Sequence, residues 1–279
     1  MPKLDLVGLA RDNKKNILTQ YAEVLRVSKS PDVIVRFIDY LKSNLRVSVN
    51  STHQNLVTII KSKAYLSAFE FTRDYKKAIK HYGARKKYRI LVDSYFRNGR
   101  LFKYFALNSG NMGTPVWGPY CIILALNYFD SKNTVILKSN SLDKTSKKDY
   151  YYFTKGRLNE LLFGSDLATV SNSNELCVIK HSASIPITKE NDWSELICKC
   201  QSIKNHNNTN YIEVISYQKC LLDNNFNIRM QRKSGTAIYK SFKDLAKTGK
   251  MSKGWNILKN ELNDLIQLQK DFKFNIEFV

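Results

Sequence analysis

An α+β fold follows from three features of the sequence. Helical periodicity marks both ends of the chain, short apolar or alternating runs fill the middle, and strands and helices neither alternate strictly nor segregate by half. With 279 residues, 43% of them hydrophobic and 12% aromatic, there is ample material for a core, which excludes disordered and collagen-like classes. The predicted organisation is an N-terminal helical segment (1–45), an α+β core (46–225) and a C-terminal helical, basic segment (226–279).

The first 45 residues predict two helices. Ile17, Leu18, Tyr21, Ala22 and Leu25 recur at helical spacing; the second helix opens with Ser30 as N-cap, Pro31 at its first position and Asp32 in its first turn, and carries Val33, Ile34, Phe37, Ile38 and Leu41 as its stripe. The period then changes to two over Leu45-Arg46-Val47-Ser48-Val49, a strand. Leu56, Ile59 and Ile60 mark a short helix, and 72–81 another, stopped by Gly83. Strands are predicted at 88–92, 120–126, 134–137, 176–179 and 211–216, with a loop over 108–115 and helices at 155–163 and 193–203. From about residue 241 the pattern is helical again, with Leu258, Leu262, Leu265 and Ile266 as the stripe.

Charge narrows the partners. Lys and Arg number 45 against 24 acids, a formal net charge of +21, which favours contact with a polyanion. Residues 60–105 hold thirteen Lys or Arg and three acids, with tyrosines interleaved as in Lys87-Tyr88-Arg89 and Lys103-Tyr104, a composition suited to a groove that holds phosphates and stacks bases. A second basic stretch runs along the predicted C-terminal helices, from Arg229, Arg232 and Lys233 to Lys253. No apolar run reaches the roughly 18 residues of a membrane span. The start, with Asp5 inside a short apolar run, offers no usable signal peptide, and five cysteines suit a reducing compartment, so a cytoplasmic setting is expected, including delivery into a target cell. No P-loop, Gly-rich dinucleotide loop, His-Glu-x-x-His or Cys-x-x-Cys is present, and no metal site is expected.

Glu213 is the most informative residue. In Tyr211-Ile212-Glu213-Val214-Ile215-Ser216, alternation places Tyr211, Glu213 and Ile215 on one face, where a carboxylate among apolar groups must be exposed, paired or held in a cleft. A solvated strand edge accounts for it as well as a catalytic cleft does.

The segment Tyr211-Ile212-Glu213, followed by Cys220-Leu221-Leu222, resembles the strand that carries the catalytic glutamate of NAD-dependent ADP-ribosyltransferases, of bacterial toxin type. Two upstream pieces resemble the same superfamily: Val47-Ser48-Val49-Asn50-Ser51-Thr52-His53 running into Asn55-Leu56 and on to Leu66, and Trp117 to Leu124 with Thr134 to Leu142, similar to paired central strands of that group. The resemblance implies a split β-sheet core with flanking helices, NAD as cofactor, and Glu213 as the catalytic carboxylate that stabilises an oxocarbenium-like cation. It further implies that Arg46, Asn50, Thr52 and His53 anchor the cofactor and that Tyr65 stacks on nicotinamide.

Some features depart from the family. Tyr211 stands where arginine-modifying members have Glu or Gln, no Ser-Thr-Ser motif is present, and Asn50-Ser51-Thr52 replaces a His-x-Thr. The missing acid and the +21 charge both point to a nucleic-acid acceptor. Two other readings stand beside this one: a non-catalytic basic nucleic-acid-binding protein, and a nuclease toxin using His181 or His206 as general base.

Overall fold

The computed structural model describes residues 3–74, 76–77, 93–139, 141, 166–198, 211–222, 226–230 and 253–278. Three helices lead: α1 (Leu6–Asp12), α2 (Lys14–Val27) and α3 (Pro31–Asn44). Asp5 caps α1 by accepting from Val7 N and Gly8 N at 3.1 and 3.0 Å, and α3 begins at Pro31 as expected. Strand β1 (Arg46–Ser51) follows, then α4 (His53–Ser62), β2 (Ala64–Tyr65) and α5 (Ala68–Thr72). Next come β3 (Lys103–Asn108), β4 (Tyr120–Ala125), β5 (Thr134–Leu137) and β6 (Leu167–Thr169). Helices α6 (Ser173–His181) and α7 (Trp193–Ile197) precede β7 (Glu213–Ser216), β8 (Cys220–Leu221) and β9 (Asn227–Met230); α8 (Lys253–Phe272) and β10 (Asn275–Phe278) close the described chain.

The mixed α and β content bears out the α+β expectation. Eight strands form one sheet in the order β10-β9-β4-β1-β3-β7-β5-β6, antiparallel except for β9 beside β10, while β2 and β8 form a separate two-stranded ribbon. One side of the sheet is a continuous core. Val47, Leu107, Ile122, Ile136, Val214 and Ile228 are all at 0% exposure there, packed with Ile34, Phe37 and Leu41 of α3, Leu176 and Val178 of α6, and Leu265 of α8. On the other side α1 sets Leu6, Val7 and Ala10 against Val135, Leu137, Leu167 and Ile215, and Met112 covers Cys121 and Ile123.

Several sequence expectations are corrected here. Residues 176–179 are not a strand but the buried middle of α6; a four-residue apolar run enclosed on all sides carries no period that separates the two. Helix α1 and strand β3 carry no clear signal in the sequence, α1 because it is only seven residues long, β3 because Lys103 and Asn108 bracket a short run with mixed residues on one face. β4 and β5 are not paired, since β1, β3 and β7 stand between them. The 226–279 segment is not purely helical: β9 and β10 extend the sheet, and Arg229, on β9 and not on a helix, pairs its Nε with Glu277 Oε2 of β10 at 2.6 Å. The expected elements at 155–163 and 88–92, and half of that at 72–81, lie outside the described residues.

Candidate functional site

Strand register creates a fork in the middle of the sheet. β1 stays zipped to β4 through all six residues, from Arg46↔Ala125 to Ser51↔Tyr120. Its pairing with β3 covers only Arg46↔Asn108, Val47↔Leu107 and Ser48↔Ala106. Beyond that point β3 continues alongside β7, through Ala106↔Glu213 to Lys103↔Ser216, while β1 departs towards α4. A cavity of about 370 Å³ occupies the opening, near the lower end of the roughly 300–1,000 Å³ of small-molecule sites.

The row of registered residues across the branch point is Ser48, Ala106 and Glu213. Ser48 and Ala106 are small, which leaves room above the row, and all three border the cavity with Asn50 and Tyr211. Tyr65 of β2 and Phe105 of β3 meet at 5.1 Å between ring centroids and form part of the wall. The ribbon pair Tyr65↔Cys220 ties this wall to the chain just after β7.

Glu213 is 2% exposed. Its Oε2 accepts from Ser141 N at 3.0 Å and also from the Ser141 hydroxyl, so a short turn after β5 orients the carboxyl group. Behind it, Lys180 at the end of α6 donates from Nζ to the carbonyls of Lys138 and Tyr211 at 2.7 and 2.8 Å, holding the ends of β5 and of the segment leading into β7 together. Burial lowers the Lys180 pKa to about 8. A second buried carboxyl group, Asp93, also borders the cavity.

The five residues expected to anchor a cofactor are distributed unevenly. Asn50 and Tyr65 border the cavity; Arg46, Thr52 and His53 are not among its lining. Asn50 donates to the carbonyls of Met112 and Gly118 at 2.9 and 3.1 Å, and its Oδ1 accepts from Thr114 N at 2.7 Å and Thr114 Oγ1 at 3.4 Å. These four bonds use the whole capacity of the amide, so Asn50 straps the 112–118 loop to β1. The loop lies so close that a Cβ at Gly118 would stand 2.1 Å from the carbonyl of Ser51, and Gly113 adopts φ +64° against Asn50 and Ser48. Arg46 is exposed at the other end of β1 and donates to Leu45 O. Thr52 caps α4, and His53 turns to α8, with Nε2 3.7 Å from the Asp264 carboxylate.

Of the basic segment 60–105, Lys61, Lys63, Arg73, Lys76, Lys77, Arg97 and Arg100 are exposed among the described residues, while Lys103 is buried and paired with Glu70 at 2.8 Å. His181 is 4% exposed, does not line the cavity, and is pushed down to about 3 by burial and then by Lys180 and Lys138. His206 lies outside the described residues. Cys121, Cys177, Cys198 and Cys220 are buried, and burial raises Cys177 to about 12 and Cys220 to about 11, which leaves these two unreactive thiols. Among the described residues no group of three or more potential metal ligands gathers, and no helix is long and apolar enough to cross a membrane.

The sequence pointed to Glu213 but gave no warning of Ser141 or Lys180 around its strand. Ser141 reaches Glu213 across 72 residues of chain, and Lys180 reaches Lys138 and Tyr211 across 42 and 31, and no local pattern carries such contacts. No protein-family model and no curated protein matches the chain.

Proposed function

We propose that this chain is an ADP-ribosyltransferase-like enzyme, of toxin or effector type, that binds NAD in the forked-sheet cavity. One observation carries the reading: a carboxyl group rigidly oriented on a central strand, Glu213, borders the same cavity as the β1–α4–β2 segment that resembles the family's cofactor-binding region. In this reading Glu213 accepts a hydrogen bond from a ribose hydroxyl. As the bond from ribose C1′ to the nicotinamide nitrogen breaks, its electron pair passes to the pyridinium ring and positive charge moves onto the ribose, where the carboxylate stabilises it. An acceptor nucleophile then attacks C1′ and loses its proton. Tyr65, with Phe105 behind it, offers a face for the nicotinamide ring, and Asn50 positions the 112–118 loop without needing to touch the cofactor.

A nucleic acid is the proposed acceptor, supported by the +21 charge and the exposed cations between Lys61 and Arg100. The buried thiols of Cys177 and Cys220 support action in a reducing compartment. A non-catalytic nucleic-acid-binding role draws on the same charge, so the test turns on Glu213. Glu213→Gln is expected to lower nicotinamide release from NAD by about 10²–10³-fold while NAD still raises the melting temperature. Unchanged release, or no thermal response of the unmodified chain to millimolar NAD, contradicts the enzyme. Labelled NAD incubated with DNA, RNA and cell lysate identifies the acceptor, and label recovered only on protein removes the nucleic-acid version.

A further inference from the structure

Two large aromatic side chains on the lining of the fork cavity stand partly in water. Phe71 of α5 is 51% exposed, and Trp117, near the end of the 112–118 loop, is 38% exposed. Both are mounted on short, well-anchored segments. α5 has five residues, yet Ser67 and Glu70 cap its start reciprocally, Glu70 also pairs with the buried Lys103, and the Ser67 hydroxyl donates to Arg100 O at 2.9 Å. Trp117 belongs to the loop that the Asn50 amide straps to β1, with Gly118 pressed against Ser51. Both rings also touch other groups of the chain, and the exposed fractions are what those contacts leave open.

Two exposed cations adjoin this rim. Arg100 holds its guanidinium 5.9 Å from the ring centroid of Phe69, which lines the cavity, and Arg73 directly follows α5 as its C-cap. Lys76, Lys77 and Arg97 are exposed close by in sequence. The acids between Phe69 and Lys77 have tasks within the fold: Glu70 pairs with Lys103, and Asp74 accepts from Lys76 N and Lys77 N at 2.7 and 3.3 Å. Exposed rings beside exposed cations suit a chain of phosphates that carries flat, stackable bases. A base inside a duplex has its faces covered by its neighbours, whereas an unpaired base can lay one on an aromatic ring. The cations Arg73, Lys76, Lys77, Arg97 and Arg100 also outnumber the two phosphates of a single dinucleotide.

We infer that the rim of the fork cavity takes an unpaired base of a single-stranded nucleic acid, stacked on Phe71 and Trp117, while Arg73, Arg100 and the neighbouring lysines hold the flanking phosphates. This deepens the nucleic-acid acceptor reading and rests on it for the class of partner. It does not depend on NAD turnover. Phe71 and Trp117 are then specificity residues that favour single strands over duplex, without a part in any bond-breaking step.

The test measures three probes of about twelve units against the full chain by fluorescence anisotropy at low salt: a single-stranded oligonucleotide, the blunt duplex of the same sequence, and an abasic strand with the same phosphates and no bases. The single strand is expected to bind about 10-fold tighter than either of the others, although the duplex carries the denser charge. Phe71→Ala and Trp117→Ala are each expected to weaken the single strand by about 5- to 100-fold and to leave the abasic strand unchanged, with Phe71→Tyr close to the unmodified chain. The probe comparison on the unmodified chain decides even if a variant folds poorly. Duplex or abasic binding equal to that of the single strand overturns the inference and leaves a nucleic-acid partner, whereas no binding of any probe at micromolar concentration removes both. Displacement of the single strand by millimolar NAD also overturns it, because the rings would then hold the dinucleotide's own base. Single-strand preference without nicotinamide release supports the inference and removes the transferase.

Discussion

The two ends of the contact between β1 and β3 are built from the same strands and behave as opposites. At the closed end, Val47 and Leu107 face each other in register, both at 0% exposure, inside the core under α3, α6 and α8. At the open end, one residue further on, Ser48 and Ala106 are the last registered pair, and beyond them the strands part around a cavity bordered by Asn50, Tyr211 and Glu213. Because successive side chains on a strand point to opposite faces, a sequence can commit every second position to packing and keep the rest for a site. The closed end supplies the apolar burial, and the open end spends part of it on polar groups that must each find a partner.

Leu107→Ala breaks the comparison at its strong end. It removes a fully buried side chain from the core cluster to which α3, α6 and α8 contribute, and the expected loss is about 2–5 kcal/mol in urea unfolding. A loss below about 1 kcal/mol would mean that the closed end is not the well-packed clamp described here.

Asn50→Ala addresses the open end with a smaller effect. It leaves Thr114 N and the carbonyls of Met112 and Gly118 without their side-chain partner, and the expected cost is about 1–3 kcal/mol. Unlike the core truncation, this loss is local. The Thr114 amide should lose hydrogen-exchange protection while amides of β4 keep theirs, and uniform loss across the sheet would refute the strap.

Legibility in the sequence follows the same division. Elements with a strong period or clear end signals were readable: α3 through Pro31 and its stripe, β1 through its alternation, and β4 and β5 as short buried runs at 120–125 and 134–137. Glu213 stood out because a charge on an otherwise apolar strand needs a reason. Its cavity did not, because the fork depends on β3, whose Lys103 is buried against Glu70 of α5 by a contact that no local pattern announces. The polarity of Asn50 suggests a ligand contact, yet its amide is committed to backbone atoms 62 to 68 residues away. The order of the strands was hidden for a related reason. β4 and β5 are both apolar on each face, and nothing in such runs says which neighbour they take.

The gentlest probe is acid, and it acts on the helix-covered side. His181 follows Lys180, which joins the carbonyls of Lys138 and Tyr211 behind the open end, and its folded-state pKa of about 3 lies below the ordinary 6.5 because burial, with Lys180 and Lys138 nearby, disfavours the imidazolium. Between those two values the unfolded chain binds the proton and the folded chain does not. Stability from this group is therefore complete above 6.5 and declines as the pH falls towards 3, with a limiting slope of about 1.4 kcal/mol per pH unit. Lys180, lowered by burial from 10.5 to about 8, has the same sign in a separate alkaline window, so the two do not overlap near neutrality. His181→Gln stays neutral throughout and isolates the histidine from carboxylates that titrate in the same range. The difference in urea midpoint between variant and unmodified chain should change steadily from pH 6.5 to pH 4, in the direction of relative gain for the variant. A difference that stays constant over that interval would show that His181 accepts a proton without leaving the folded state, and that the back of the fork is more open to water than its 4% exposure implies.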